Sequence, residues 1–179
     1  MDRMSTVVYR CISSIRIHGG TATGHVLSLA VIGRSEYNKS VLYSGSYEGI
    51  QAWQLNQAGS TLSPLKYGCS NYGAVKAITV VGDKIFGAHK DHKIRVWKVS
   101  QKSDHHDKLI CTMPSVKDCL KNMIRPENYV KVKRHKKSLW IKHVDAISSL
   151  AATKDGLMLY SASWDRTLKV WRLSQRRFV

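Results

Sequence analysis

The stretch YSASWDRTLKVWRL, residues 160–173, decides the reading of this chain. Leu157, Leu159 and Ser161 alternate with Met158, Tyr160 and Ala162 before it turns, and Leu168, Val170 and Arg172 alternate with Lys169 and Trp171 after it. Alternation with a period of two on both sides of WDRT predicts an antiparallel hairpin. An Asp in such a turn is either a chemical group, as an acid or a metal ligand, or a structural one that accepts hydrogen bonds from backbone N–H groups. Repetition favours the second.

VLYSGSYEGIQAWQL (41–55) and KIFGAHKDHKIRVWKV (84–99) overlay the same hairpin. Each has a small-residue step, an acidic turn residue (Glu48, Asp91, Asp165) and an alternating run that ends at Trp53, Trp97 or Trp171. A further apolar run precedes each copy, at 25–33, 74–82 and 146–153. The unit is therefore strand, loop, strand, acidic turn, strand. Trp53 and Trp97 stand 44 residues apart, and Trp97 and Trp171 stand 74 apart, the same period lengthened by an insertion. A repeat of about 40–45 residues closed by a Trp is the sequence sign of propeller blades.

These segments resemble the WD-repeat family of β-propellers. The stretches 73–100 and 114–151 together with the third hairpin are most similar to plant WD-repeat proteins of the JINGUBANG type. The resemblance implies an all-β fold, here a partial propeller arc of about three blades of four-stranded antiparallel sheet, cut from a larger propeller. It implies an outer strand of a preceding blade or an N-terminal extension at 1–23, repeat one at 24–66 and the core of repeat two at 67–100. A basic insertion at 101–142 would hold an outer strand and a short helix, and a truncated repeat three would occupy 143–179. It also implies a structural tetrad, which only the third repeat can complete, from His143, Ser161 or Ser163, Asp165 and Trp171. Asn71 replaces the histidine in repeat two, and Ala22 does so in repeat one, where His25 abuts the strand out of register.

Composition agrees with a packed domain: 43% of the 179 residues are hydrophobic. No run approaches the ~20 apolar residues of a membrane span, and charged residues interrupt the N-terminal apolar stretches as no secretory signal would. Cys11, Cys69, Cys111 and Cys119 lack paired metal-ligand spacing and read as reduced thiols of the cytoplasm or nucleus. No nucleophile setting, phosphate-cradling glycine loop or carboxylate cluster is legible, so no enzyme activity and no cofactor is expected.

Charge is the other signal. With 29 Lys and Arg against 12 Asp and Glu, the formal net charge is +17. The run YVKVKRHKKSLWIKH (129–143) carries Lys131, Lys133, Arg134, Lys136, Lys137 and Lys142 and no acid. Such a run serves as a solvated strand face, an import signal, or a contact for an acidic protein, nucleic acid or anionic lipid. Tyr129 and Trp140 flank it and could stack on bases, while alternating Val130, Val132, Leu139 and Ile141 predict a strand. Just upstream, SVKDCLKNM (115–123) predicts a short helix opened by a capping box of Ser115 and Asp118.

The sequence thus predicts a non-enzymatic scaffold that binds other proteins, acidic or transcriptional regulators among them, in the manner of an intracellular regulatory adaptor. The alternative is a nucleic-acid-associated module that binds through the insertion. Uncovered sheets at both ends of the arc predict self-association or a need for the missing blades.

Overall fold

The computed structural model describes residues 25–34, 39–55, 62–65, 73–99, 107–133 and 136–173. The predicted N-terminal element at 1–23, which includes Ala22, together with Asn71, Arg134 and the C-terminal SQRRFV, lies outside them.

Among the described residues the chain forms three antiparallel sheets and one separate hairpin. The first sheet runs β1 (Ser28–Arg34), β2 (Lys39–Gly45), β3 (Ile50–Leu55) and β4 (Leu62–Pro64), in that spatial order. The second repeats it as β5 (Val75–Val81), β6 (Lys84–His89), β7 (Ile94–Lys98) and β8 (Lys108–Met113). An excursion follows, with α1 (Val116–Met123), a 3-10 turn (Pro126–Asn128) and the hairpin of β9 (Tyr129–Lys133) with β10 (Lys136–Leu139). The third sheet is β11 (Ile147–Ala152), β12 (Met158–Ser163) and β13 (Leu168–Arg172).

Each sheet is an up-and-down meander, and its first strand packs against the first strand of the next: β1 on β5, and β5 on β11. Sheets stacked face to face with their first strands gathered together make an arc of propeller blades.

The period-two pattern explains the stacking. Strands of the middle blade send Ile85 and Trp97 toward blade one, where they meet Tyr43, Ile50 and Val41. The alternate positions Phe86, Ala88, Ile94 and Val96 point the other way and meet Ile147 and Leu159 of blade three. Blade two is therefore buried on both faces, as its almost unbroken apolar strands require. Truncating Ile85 or Ile94, both fully buried, to Ala would cost about 2–5 kcal/mol.

The outward faces of the end blades differ. On β1, Leu29 and Val31 are each 59% exposed, and on β13 Leu168 and Val170 are 65% and 51% exposed. They alternate with neighbours that are buried or partly buried, Ile32 on β1 and Trp171 on β13 among them, so each end strand carries apolar residues on both faces.

The segment predicted as the insertion, 101–142, divides physically. Its strand KLICTM is β8, hydrogen-bonded to β7 as the fourth strand of blade two, so among the described residues of the segment those after Met113 stand outside the blade sheets.

Candidate functional site

The loop that enters blade three carries His143, the turn between β12 and β13 carries Asp165, and the strands themselves supply Ser161 and Trp171. Register places Ser161 opposite Lys169 and Leu159 opposite Trp171, so Ser161 and Trp171 share the face toward blade two. There the four side chains meet. His143 Nδ1 lies 3.0 Å from Asp165 Oδ2 and Nε2 lies 2.8 Å from Ser161 Oγ. The Trp171 indole N–H donates to the same Oγ at 2.9 Å. Asp165 also accepts from the Val144 N–H at 3.0 Å, the Thr167 N–H at 2.9 Å and the Thr167 hydroxyl at 2.6 Å.

Donor logic settles the protons. The Asp165 carboxylate can only accept, so His143 Nδ1 donates to it, and in the neutral ring Nε2 accepts the Ser161 proton while Ser161 accepts from Trp171, which can only donate. His143 is then the neutral tautomer with its proton on Nδ1, donated to the Asp165 carboxylate. Burial lowers the His143 pKa, and the bond and charge of Asp165 only partly counter this, so the ring is neutral near pH 7. Burial pushes Asp165 up, yet the bonds from Thr167, Val144 and His143 outweigh it and hold the carboxyl far below the usual carboxylate range. Of the two serines open to this role, Ser163 is engaged elsewhere: its hydroxyl donates to Asp145 O at 3.0 Å and accepts from the Asp165 N–H.

The connectivity Ser161–His143–Asp165, formed by the tetrad residues the resemblance implies, is also that of a hydrolase relay. Its setting is different. Ser161 is 1% exposed, its oxygen already accepts the indole proton, and no substrate carbonyl reaches it in the folded blade.

The other two blades hold fragments of the same network. In blade one Trp53 donates to Ser44 Oγ at 2.7 Å, while His25 is exposed and meets the Tyr47 ring edge-on, 6.2 Å between centroids. In blade two the matching strand position is Gly87, opposite Arg95, and the Trp97 ring fills the space a side chain would need. His89, buried, stacks at a tilt 5.4 Å from Trp97. Asp91 takes a different partner: Arg95 grips its two oxygens at 3.0 and 2.7 Å. Burial raises the Asp91 pKa, but the Arg95 bond and charge bring it below its ordinary value.

The basic residues gather on the hairpin. Register sets Lys137 opposite Lys131 and Lys136 opposite Lys133, with a bulge between Lys136 and Lys137. Like charges directly across a strand pair repel. The hairpin is tied down from two sides: the Trp140 indole N–H donates to Asn122 Oδ1 of α1 at 3.1 Å, and the Lys169 ammonium of blade three donates to the Trp140 carbonyl. The Trp140 N–H is thus spent on α1, while half of the residue stays exposed.

Two surface features went unnoticed in the sequence. Trp164, 69% exposed, lies in the β12–β13 turn with the Lys76 ammonium 4.9 Å from its ring centroid. The contact joins blades two and three at a β-bulge of β5, which no strand pattern announces. The second is the apolar side of α1, whose period was legible but whose exposure was not: Val116, Leu120, Met123 and Ile124 are all exposed, and no residue of the helix is buried. No helix of the described residues is long and apolar enough to cross a membrane.

The fold and the His143 network together define an arc of propeller blades, and comparison with known proteins agrees. Residues 135–172 match the family of the WD domain, G-beta repeat, the segment that carries the whole network. No curated protein sequence matches the chain. Among solved structures it resembles a chain of an active polycomb repressive complex 2 in the basal state, with TM-score 0.59 and 15% identity over 93% of this chain and 31% of that one. It is similarly close to a chain of the Chaetomium thermophilum Polycomb Repressive Complex 2 bound to GSK126, with TM-score 0.58 and 16% identity over 93% and 32%. The WD40 beta propeller domain of Doa1 aligns at TM-score 0.49 and 14% identity, over 83% and 38%. The chain thus spans about a third of the length of the structures it resembles.

Proposed function

We propose that this chain is a non-enzymatic WD-repeat scaffold that binds other proteins, with the excursion between blades two and three as the contact for an acidic partner. The observation that carries this reading is the β9–β10 hairpin, whose register sets lysines opposite lysines although such pairs weaken a strand pair. An anionic surface laid across the hairpin would relieve that repulsion. The Ser161–His143–Asp165 relay is sealed in blade three and does not rival this reading.

Similarity to plant WD-repeat proteins of the JINGUBANG type adds the finer reading: an intracellular regulatory adaptor of the cytoplasm or nucleus, whose partners include transcriptional regulators. The structures it resembles come from a multi-protein assembly, a setting that suits a scaffold. His143, Ser161, Asp165 and Trp171 are structural in this account and hold the turn and entry loop of blade three against its strands.

The net charge of +17 favours one competitor, a nucleic-acid-associated module. Affinity capture with the full chain and with a variant carrying Gln at Lys131, Lys133, Arg134, Lys136 and Lys137 separates the two. The scaffold reading expects nuclease-resistant capture of proteins that the variant loses. Captured nucleic acid, released steeply and without sequence preference as salt rises, would establish the competitor. Unchanged capture by the variant would reduce the basic run to a solvated face.

A further inference from the structure

An eight-residue helix is too short to persist alone, yet α1 stands on the surface with none of its residues buried. Its ends are secured instead. Ser115 accepts from the Asp118 N–H at 3.1 Å, Asp118 accepts from the Ser115 N–H at 3.2 Å, and Asn122 is pinned by Trp140. Because Asp118 and Asn122 are thus tied to the cap and to the hairpin side, helical periodicity turns Val116, Leu120 and Met123 away from the hairpin. They line a cavity of about 440 Å³ together with Pro114 and Cys119. Its far wall is the β6–β7 turn, at His92 and Lys93, and the entry loop of blade three, at Lys142 and His143.

The groove is apolar at its floor and cationic at its rim. Lys93 and Lys142 line one wall and are exposed, and among the described residues neither forms an ion pair. The nearby carboxylates are already engaged: Asp91 by Arg95, Asp118 by the Ser115 cap and Asp165 by His143. A volume of this size falls in the range of about 300–1,000 Å³ that binding clefts occupy. A surface helix ordinarily turns its apolar stripe to the core; this one turns it to an open, pre-formed groove whose opposite wall carries the unpaired Lys93 and Lys142.

We propose that this groove binds a short acidic segment of a partner protein, whose spaced apolar side chains enter between α1 and the two loops while its carboxylates meet the lysine rim. The inference rests on the scaffold reading above and assigns its docking site. A nucleic acid would satisfy the lysines but has no use for an aliphatic floor, so the apolar contact distinguishes the two.

The test uses the full chain and a labelled peptide of roughly twelve Asp and Glu residues interrupted by three leucines at helical spacing. Its controls are the same peptide with serine for leucine and a single-stranded oligonucleotide of equal charge. The groove expects the leucine peptide to bind at least about tenfold more tightly than either control. It expects a similar loss in a Leu120→Asp, Met123→Asp variant, about 1.4 kcal/mol. Lys93→Gln with Lys142→Gln should weaken binding and flatten its salt dependence. A second readout needs no substitution: Cys119 lines the groove and Cys111 does not, so saturating leucine peptide should slow alkylation of Cys119 and leave Cys111 unchanged. Equal binding of the serine peptide or the oligonucleotide, or an unprotected Cys119, overturns the proposal. The two readings fail separately: partners lost by the hairpin Gln variant but kept by the Leu120, Met123 variant sink the groove and leave the scaffold standing.

Discussion

Replacing Asp165 by Ala removes the acceptor for His143 Nδ1, the Val144 N–H and both Thr167 donors, in a turn where the side chain is only 3% exposed. Orphaned buried donors cost about 1–3 kcal/mol, so chemical denaturation should show an unfolding free energy lowered by that amount and a correspondingly lower midpoint. An unchanged midpoint would contradict a structural role for the network. Asp91 holds the matching place in blade two but is itself exposed in its pair with Arg95, and surface pairs contribute at most about 1 kcal/mol; Asp91→Ala should therefore cost clearly less. Gly87 gives a sharper case. Blades one and three have serine there, so Gly87→Ser looks like a repair of the missing indole acceptor. A β-carbon at Gly87 would stand 2.9 Å from the Trp97 ring and 3.1 Å from Ile50, and overpacking of this kind costs about 1–3 kcal/mol. The variant should be less stable than the parent by urea titration.

At the level of elements, the β9–β10 hairpin separates stability from binding. Lys137→Glu places an acid opposite Lys131, which should stabilise the hairpin by about 0.2–1 kcal/mol while removing a contact for an acidic partner. Slower hydrogen exchange across β9–β10 with weaker partner capture is the expected pair of results; stronger capture would refute the assignment. For α1, Ser115→Ala deletes a cap worth about 1 kcal/mol. With so short a helix, protection of the Cys119 and Leu120 amides should fall while the blades keep theirs.

For the molecule as a whole, acid is the informative variable. The pKa values of His143 and Asp165 are both lowered on folding, so the unfolded chain takes up these protons first as pH falls. Stability from the network is complete above the ordinary histidine value of about 6.5 and declines below it, first through His143 and then, below about 4, through Asp165. Urea midpoints between pH 7.5 and 4.5 should fall, and His143→Gln should flatten that slope. The end faces make a separate prediction: Leu29, Val31, Leu168 and Val170 leave two apolar sheet faces exposed, so sedimentation should show concentration-dependent association that Val31→Lys with Val170→Lys reduces.

How much of this the chain disclosed before folding follows from the range of the forces. Strand alternation, turn chemistry and the Trp period are local, so the blade repeat and its antiparallel sheets were legible from residues 41–55, 84–99 and 157–173 alone, as was the Ser115 cap. Partner choice across blades is not local. Whether Ser161 or Ser163 receives His143, why Gly87 must stay bare under Trp97, that Lys76 reaches Trp164 across two blades, and that the apolar side of α1 faces a groove instead of the core all depend on where distant strands are brought together. A sequence with a period of two specifies which residues share a face; only the stacking of one sheet on the next decides what that face meets.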